Sequence, residues 1–192
     1  MIYNLVKQKI KEKIVINIDI QAIEFVNKIH FPILDKAMIL FTSLGNSGII
    51  WILIGIILIL RKKTRKLGII YLTALFITAV LGEGILKNVV KRERPFEAIE
   101  GLRLLVKAPK SYSFPSGHTA SSFAAFGVLY FMNSQYKWYG LVLALFISIS
   151  RVYLNVHYLT DIIGGALLGL VVAYVVCGLF KRKQWLVDEK AA

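Results

Sequence analysis

Stretches without a single charged residue divide the chain. Ala37 to Leu60 is one; Leu67 to Gly82, Thr119 to Tyr136, Trp138 to Ser150 and Ile162 to Phe180 follow. A bilayer crossing takes about 20 apolar residues, within a range of roughly 17–25. The first and last runs meet that length unaided. The middle three meet it with flanking residues: Gly84 to Leu86, the Phe114 side, and Val152 to Val156. Backbone groups in lipid have no water to bond, so each run is predicted to be a helix and not a strand. The pattern gives an all-α, polytopic transmembrane bundle of about five spans.

Residues 1–33 follow another pattern. Ile18, Ala22, Phe25 and Ile29 share one helical face, with Asp19, Glu24 and Lys28 elsewhere. That spacing predicts an amphipathic N-terminal helix lying in the membrane interface. The charged and titratable groups between Asp19 and His30 argue against a sixth span. Ile16-Asn17-Ile18-Asp19-Ile20 also alternates as a strand does. Pro32 is expected to end this helix, with a new one starting near Leu34. In the last span, Gly165-x-x-x-Gly169 is a signal for close helix packing. With no internal repeat or low-complexity tract, residues 1–192 read as one membrane-embedded domain.

Basic residues orient the spans. Arg61-Lys62-Lys63-Thr64-Arg65-Lys66 carries five positive charges in six residues, and Lys181-Arg182-Lys183 adds three. Five spans put both on one side, which the positive-inside rule makes cytoplasmic. Lys87 to Gly117 then lies outside with seven Lys or Arg, against the rule. The basic start, Lys7-Lys9-Lys11-Lys13, also runs against it. Either the outer charges answer to a requirement other than sorting, or the orientation is inverted.

Composition narrows the class. The 192 residues are 57% hydrophobic and carry a net charge of +13. Soluble domains hold about 45–50% apolar residues. A nucleic-acid binder would set its basic residues on a polar body, so no nucleic-acid partner is expected. High charge with high hydrophobicity fits a membrane protein that meets anionic headgroups or phosphate. A lone Cys177 excludes an intramolecular disulfide and a multi-Cys zinc site. No basic start with a short apolar core and cleavage site is seen, so no cleavable signal peptide is expected.

Three polar clusters sit at span ends: Lys87 to Arg94-Pro95, Pro115-Ser116-Gly117-His118, and Ser150-Arg151 with His157 and Asp161. Counting crossings brings all three to one membrane face. Lys87, Arg94 and Arg151 have no equal stock of acids nearby. Three cations in a low-dielectric site need an anion, and planar Arg forks suit phosphate oxygens. Ser116 and Gly117 precede a helix, whose exposed N–H groups form a phosphate cradle. Gly117 lets the backbone approach closely.

Two of the three His residues fall in these clusters. His157 precedes Asp161 by one helical turn, within reach of the carboxylate. A carboxylate on one ring nitrogen fixes the tautomer and leaves the other nitrogen as a nucleophile. His118 is then free to protonate a leaving oxygen. Singly, each has a structural reading: His118 as an interfacial cap, His157–Asp161 as a packing pair. Zinc on two His and one Asp is disfavoured by the three cations. A Ser116 hydrolase is disfavoured because its flanks do not make the Gly-x-Ser-x-Gly elbow. Glu83, one turn before Lys87, reads as its ion-pair partner. Lys91 and Arg92 read as headgroup-facing or site-supporting.

These three motifs, spanning residues 87–161, resemble the signature of the type 2 phosphatidic acid phosphatase superfamily of membrane lipid phosphate phosphatases. That signature is Lys-x6-Arg-Pro, Pro-Ser-Gly-His and Ser-Arg-x5-His-x3-Asp, and every element is present. The resemblance implies a helical bundle and a phosphohistidine intermediate on His157. It implies Asp161 as the orienting residue and His118 as the acid. Lys87, Arg94, Ser116, Gly117 and Arg151 would hold the phosphate, with no metal or cofactor expected. Many bacterial members have six spans, where the pattern here gives five.

The expected function is hydrolysis of the terminal phosphate of a lipid (pyro)phosphate drawn from the bilayer. The site would face the outside of a bacterial-type plasma membrane. Undecaprenyl pyrophosphate, which is released outside, is the favoured substrate. Phosphatidylglycerophosphate, phosphatidic acid and lipid A are alternatives within the class. A non-catalytic phospholipid binder or flippase is the alternative of another class; it would need the cations but not the nucleophile, acid and orienter.

Overall fold

The computed structural model describes residues 17–191, with side chains through residue 182. Lys7 to Lys13, and Ile16 of the strand-like alternation, lie outside the described residues. All regular elements among the described residues are helical.

Helix α1, Asn17–Lys28, has 12 residues. At 1.5 Å per residue it is about 18 Å long, too short for a crossing. Ile18, Phe25 and Ile29 face outward, as an interfacial helix requires. The opposite face departs from the expectation. Asp19 does not meet water: it is buried with Ile23 and Val26 against the bundle. Helix α2, Pro32–Leu44, starts at the proline itself, because Pro is accommodated in the first helical turn.

The apolar run from Ala37 to Leu60 is not one straight helix. A 3-10 turn at Asn46–Gly48 separates α2 from α3, Ile49–Leu60, with a bend of 45°. Ser47 and Gly48 adopt left-handed backbone, φ 51° and 67°. Gly, Asn and Ser tolerate such turns and weaken the helix there.

Next comes α4, Arg65–Ala79, which passes through a π-helical stretch, Val80–Leu86, into α5, Lys87–Val90. Short helix α6, Pro95–Ala98, precedes a loop to α7, Gly117–Phe131. Helices α8, Lys137–Tyr153, and α9, Leu159–Ala191, complete the bundle. By length and composition Lys62–Ala98 and Leu159–Arg182 can each cross a membrane, and the bent α2–α3 pair makes a third such segment. At 15 and 17 residues, α7 and α8 are shorter. They are roughly 22 and 26 Å long, against a hydrocarbon core of about 30 Å.

The outside of the bundle is apolar. Leu53 and Ile57 on α3, Val142 and Ile149 on α8, and Leu167 and Val171 on α9 are all exposed. An apolar exterior of this extent matches a lipid environment and not water. Inside, Trp51, Tyr71, Ala124, Ala144, Ile147 and Ala173 join one core. The Gly165/Gly169 signal is a packing device: a Cβ on Gly169 would lie 2.3 Å from the Ala120 carbonyl, and one on Gly165 2.7 Å from that of Ser116. The backbones of α7 and α9 therefore touch. That contact fixes the start of α7 beside the start of α9.

Candidate active site

All three polar clusters reach the same end of the bundle. Lys87 opens α5, Arg94 caps α6, and Ser116, Gly117 and His118 form the start of α7. Arg151 sits in the last turn of α8. His157 lies in the connection from α8 to α9, and Asp161 in the first turn of α9. Lys87, Arg94, Gly117, His118, Arg151 and His157 line one cavity of about 590 Å³. It continues past Ile52, Leu72, Leu75, Phe76 and Ala79 of α3 and α4. A polar head and an apolar groove thus share one space.

Ser116 and Asp161 stand behind the wall, fully buried. The Ser116 hydroxyl accepts from the N–H and the hydroxyl of Thr119, so it caps α7. Its own N–H donates to the Asp161 carbonyl at 3.1 Å. The first helical N–H groups have no acceptor within the helix. Those of Thr119 and Ala120 are taken by Ser116. Gly117 and His118 present theirs from cavity-lining positions.

Arg94 is held on all sides. Its Nε donates to the Ser111 carbonyl, Nη1 to that of Val156, both at 2.7 Å, and Nη2 to that of Tyr112 at 3.2 Å. Nη1 also meets His157 Nε2 at 3.2 Å. Lys87 Nζ donates to Ser111 Oγ at 3.0 Å and pairs with Glu83 at 2.8 Å. Arg151 donates through Nη1 to Thr42. Its Nε is buried without an acceptor among the described residues, as a guanidinium awaiting an anion would be.

His157 is 2% exposed. Its Nδ1 faces Asp161 Oδ2 at 3.3 Å and Ser113 Oγ at 3.4 Å. Ser113 Oγ donates to the same carboxylate oxygen at 2.5 Å, and the Tyr158 N–H donates to it at 2.9 Å. A ring with Nδ1–H toward Asp161 keeps its Nε2 lone pair on the cavity side. Burial, joined by the charges of Arg94 and Arg151, outweighs the raising effect of Asp161 and pushes the His157 pKa down to about 3. The imidazole is therefore neutral near pH 7, with its Nε2 lone pair accepting from Arg94 Nη1 in the absence of substrate. His118 Nε2 meets Asn46 Oδ1 at 3.1 Å.

Several contributors were not singled out from the sequence. Asn46 and Gly45 come from the break between α2 and α3. A Cβ on Gly45 would lie 2.6 Å from the His118 ring, so the break brings bare backbone against it. The only signal was Gly-Asn-Ser-Gly inside an apolar run. Ser111 and Ser113 precede the second motif by a few residues, without a spacing that marks them. Arg92, read as facing headgroups or supporting the site, does the latter: its Nη1 donates to Asp161 Oδ1 at 2.6 Å. Lys91 beside it is exposed.

A family model for the PAP2 superfamily matches residues 67–185. The chain belongs to the PAP2 superfamily. Members are phosphatases that hydrolyse lipid phosphate esters. An undecaprenyl-diphosphatase of Sulfolobus acidocaldarius is 31% identical over 83% of this chain and 77% of its own. A lipid A 4'-phosphatase of Porphyromonas gingivalis is 29% identical over 83% of this chain and 72% of its own. Among solved structures, a transmembrane PAP2-type phosphatidylglycerolphosphate phosphatase of Bacillus subtilis has a TM-score of 0.71 at 28% identity, over 94% of this chain and 96% of that one. The resemblance carried by the three motifs is thus a family membership. The chain is a membrane-integral lipid phosphatase of all-helical fold.

The Glu83 carboxylate matches its expected pairing with Lys87 and does one thing more. A Cβ on Gly117 would lie 2.1 Å from Glu83 Oε1, so the carboxylate rests on the bare backbone at the start of α7. An anion seated against Lys87 and Gly117 competes with it. Glu83 is 48% exposed, so solvent screens the effect. Glu83→Gln should lower the inhibition constant of inorganic phosphate by about two- to fivefold, the range of a screened ion pair. A constant equal to or above the unaltered enzyme's would refute the competition.

Proposed function

We propose that the protein removes the terminal phosphate of a lipid phosphate or pyrophosphate through a phosphohistidine on His157. The observation that carries this reading is the cavity itself. Its polar end gathers Lys87, Arg94, Arg151 and both histidines, and its other end is an apolar groove. A lipid bearing a phosphate has the same two ends.

In this reading Lys87, Arg94, Arg151 and the N–H of Gly117 bind the phosphoryl oxygens, with Ser116 holding the α7 start in place. Charge that builds on those oxygens in the transition state meets fixed donors. His157 Nε2 attacks phosphorus, a P–N bond forms, and the bond to the leaving oxygen breaks. His118 delivers the proton to that oxygen. Asp161 holds Nδ1–H and balances the charge on the phosphorylated ring. Water then attacks phosphorus, giving its proton to His118, the P–N bond breaks with its electron pair returning to Nε2, and inorganic phosphate leaves. Three cations supply the charge stabilisation that a metal would otherwise bring. The binder or flippase alternative does not account for the polarised His157.

His157→Ala should abolish turnover and leave no acid-labile label after a quench with radiolabelled substrate. Labelled protein from that variant would sink the assignment of the nucleophile. His118→Ala should lose less activity on an aryl phosphate with a good leaving group than on a lipid, because the acid matters less there.

We further propose five crossings, with the α3–α4 turn cytoplasmic and the site on the outer side of a plasma membrane. The turn between α3 and α4 carries the dense basic cluster. Lys181 donates to the Phe131 carbonyl at 2.8 Å, so the basic end of α9 lies beside the end of α7, away from the site. Cysteine placed at Ala108 in a Cys177→Ser background should react with an impermeant thiol reagent in intact cells. Labelling at Thr64→Cys and not at Ala108→Cys would invert the orientation.

Undecaprenyl pyrophosphate is the favoured substrate. An outward site meets the pyrophosphate released there, and the exposed Arg103, Lys107 and Lys110 favour its higher charge. The relative from Sulfolobus acidocaldarius supports this choice, whereas the other two point to phosphatidylglycerophosphate and lipid A. In matched micelles kcat/KM should be highest for the isoprenoid pyrophosphate. A higher value for phosphatidylglycerophosphate, phosphatidic acid or lipid A would overturn the substrate while leaving the phosphatase reading in place.

A further inference from the structure

The carboxylate that faces His157 is held from a part of the chain outside the three motifs. Arg92 lies between two acids. Its Nη1 donates to Asp161 Oδ1 at 2.6 Å and its Nη2 to Asp19 Oδ2 at 2.5 Å. Asp19 belongs to α1, far from the motifs in sequence. Asp19 and Asp161 are fully buried, and Arg92 is 4% exposed.

Thr160 ties the three together. Its hydroxyl accepts from Arg92 Nη1 at 2.7 Å and donates to Asp19 Oδ2 at 2.7 Å. Its N–H donates to Asp19 Oδ1 at 2.9 Å. The guanidinium also stacks on the Tyr158 ring at 4.1 Å. A second anchor lies further along α1. Asn27 and Asn155 exchange side-chain hydrogen bonds at 3.3 and 3.1 Å, and Asn155 is two residues from His157. Helix α1 therefore grips both sides of the segment that carries His157.

We propose that Asp19 is a positioning residue for the Asp161–His157 pair, acting through Arg92. The inference rests on the phosphohistidine reading. The physical reason is charge balance. Arg92 fixes the Asp161 carboxylate in place, but alone it would also neutralise it. One cation between two carboxylates leaves a net negative charge, and this is what the His157 ring sees as it takes on positive charge. Without Asp19 one of the two carboxylates on Arg92 is lost, the Arg92 charge weighs more heavily on Asp161, and Asp161 stabilises the phosphorylated ring less. Charged groups facing His157 are Asp161, Arg94 and Arg151, with Lys87 and His118 across the cavity. Glu83 also lines the cavity, where it pairs with Lys87 and stands outside this clamp.

Partners of catalytic groups typically change activity by about 10- to 100-fold when altered. Asp19→Asn keeps the size and the acceptor for the Thr160 N–H while removing the charge. In purified, folded full-length protein it should lower kcat about tenfold or more, with KM within about threefold. Asp19→Asn/Arg92→Gln removes both charges and restores the net negative charge. It should turn over faster than Asp19→Asn despite carrying the additional change. A clamp with only a structural role would lower the melting temperature, leave kcat per folded molecule intact, and gain nothing from the second substitution.

An unchanged kcat in folded Asp19→Asn overturns the proposal, as does a double variant slower than the single one. If Asp19→Asn does not fold, the double variant decides: with the net charge restored it should keep kcat within about tenfold of the unaltered enzyme, and a larger loss overturns the proposal. A wild-type enzyme that traps no phosphate on His157 overturns the phosphohistidine reading instead. A normal phosphoenzyme with unaltered variants overturns only the role of Asp19.

Discussion

Charge buried inside an apolar bundle must be matched, and this requirement shapes the whole end of the molecule that holds the site. Arg92, Arg94, Lys87 and Arg151 are all at most 5% exposed. Removing one partner of a buried pair typically costs about 3–5 kcal/mol. Each cation meets the demand differently. Arg92 takes two carboxylates, and Arg94 takes a set of backbone carbonyls. Lys87 takes one half-exposed carboxylate and a hydroxyl. Arg151 takes one hydroxyl and keeps a buried Nε unmatched. Arg92 lies outside the cavity lining and supports Asp161, whereas Arg94 lines the cavity beside His157. Lys87 and Arg151, the two least satisfied, line the cavity where an anion would complete them.

Irregular backbone is concentrated around that cavity. The break at Asn46–Gly48 brings Asn46 to His118, and the π-helical stretch carries Glu83 to Lys87 and Gly117. Each interruption lies in a membrane-facing helix, where loose backbone groups are costly. π-helical turns recur at functional sites because they re-aim one side chain without ending the helix. At the opposite face of the site, the small residues of α7 and α9 allow backbone contact. Close packing there and loosened helices here give a rigid wall and an open groove from the same bundle.

Preorganisation follows from the hydrogen bonds. The Arg94 fork is set by three carbonyls before any ligand arrives, and the His157 ring is set by Asp161 and Ser113. Donors fixed in this way need no reorganisation as charge develops on a phosphoryl group. The Glu83 carboxylate is the exception, since it lies in the anion's own neighbourhood and is half exposed.

The apolar runs determined that the chain is helical and membrane-embedded, because lipid permits few other arrangements. They also determined the motif set, since Lys, Arg and His are too costly beside spans to be there without partners. The Gly165/Gly169 spacing was legible for the same reason: only a residue without a Cβ lets two backbones touch. Tertiary structure alone decided three things. It turned Asp19 inward, because amphipathic spacing reports the apolar face and is silent on what the other face meets. It broke the run from Ala37 to Leu60, because composition over a window averages away four residues of loop chemistry. It assigned Arg92 to Asp161 and Arg94 to the cavity, although they stand two residues apart in one basic string. Identical side chains in a string carry no mark of partner, and the partner is set by which helix end the fold brings near.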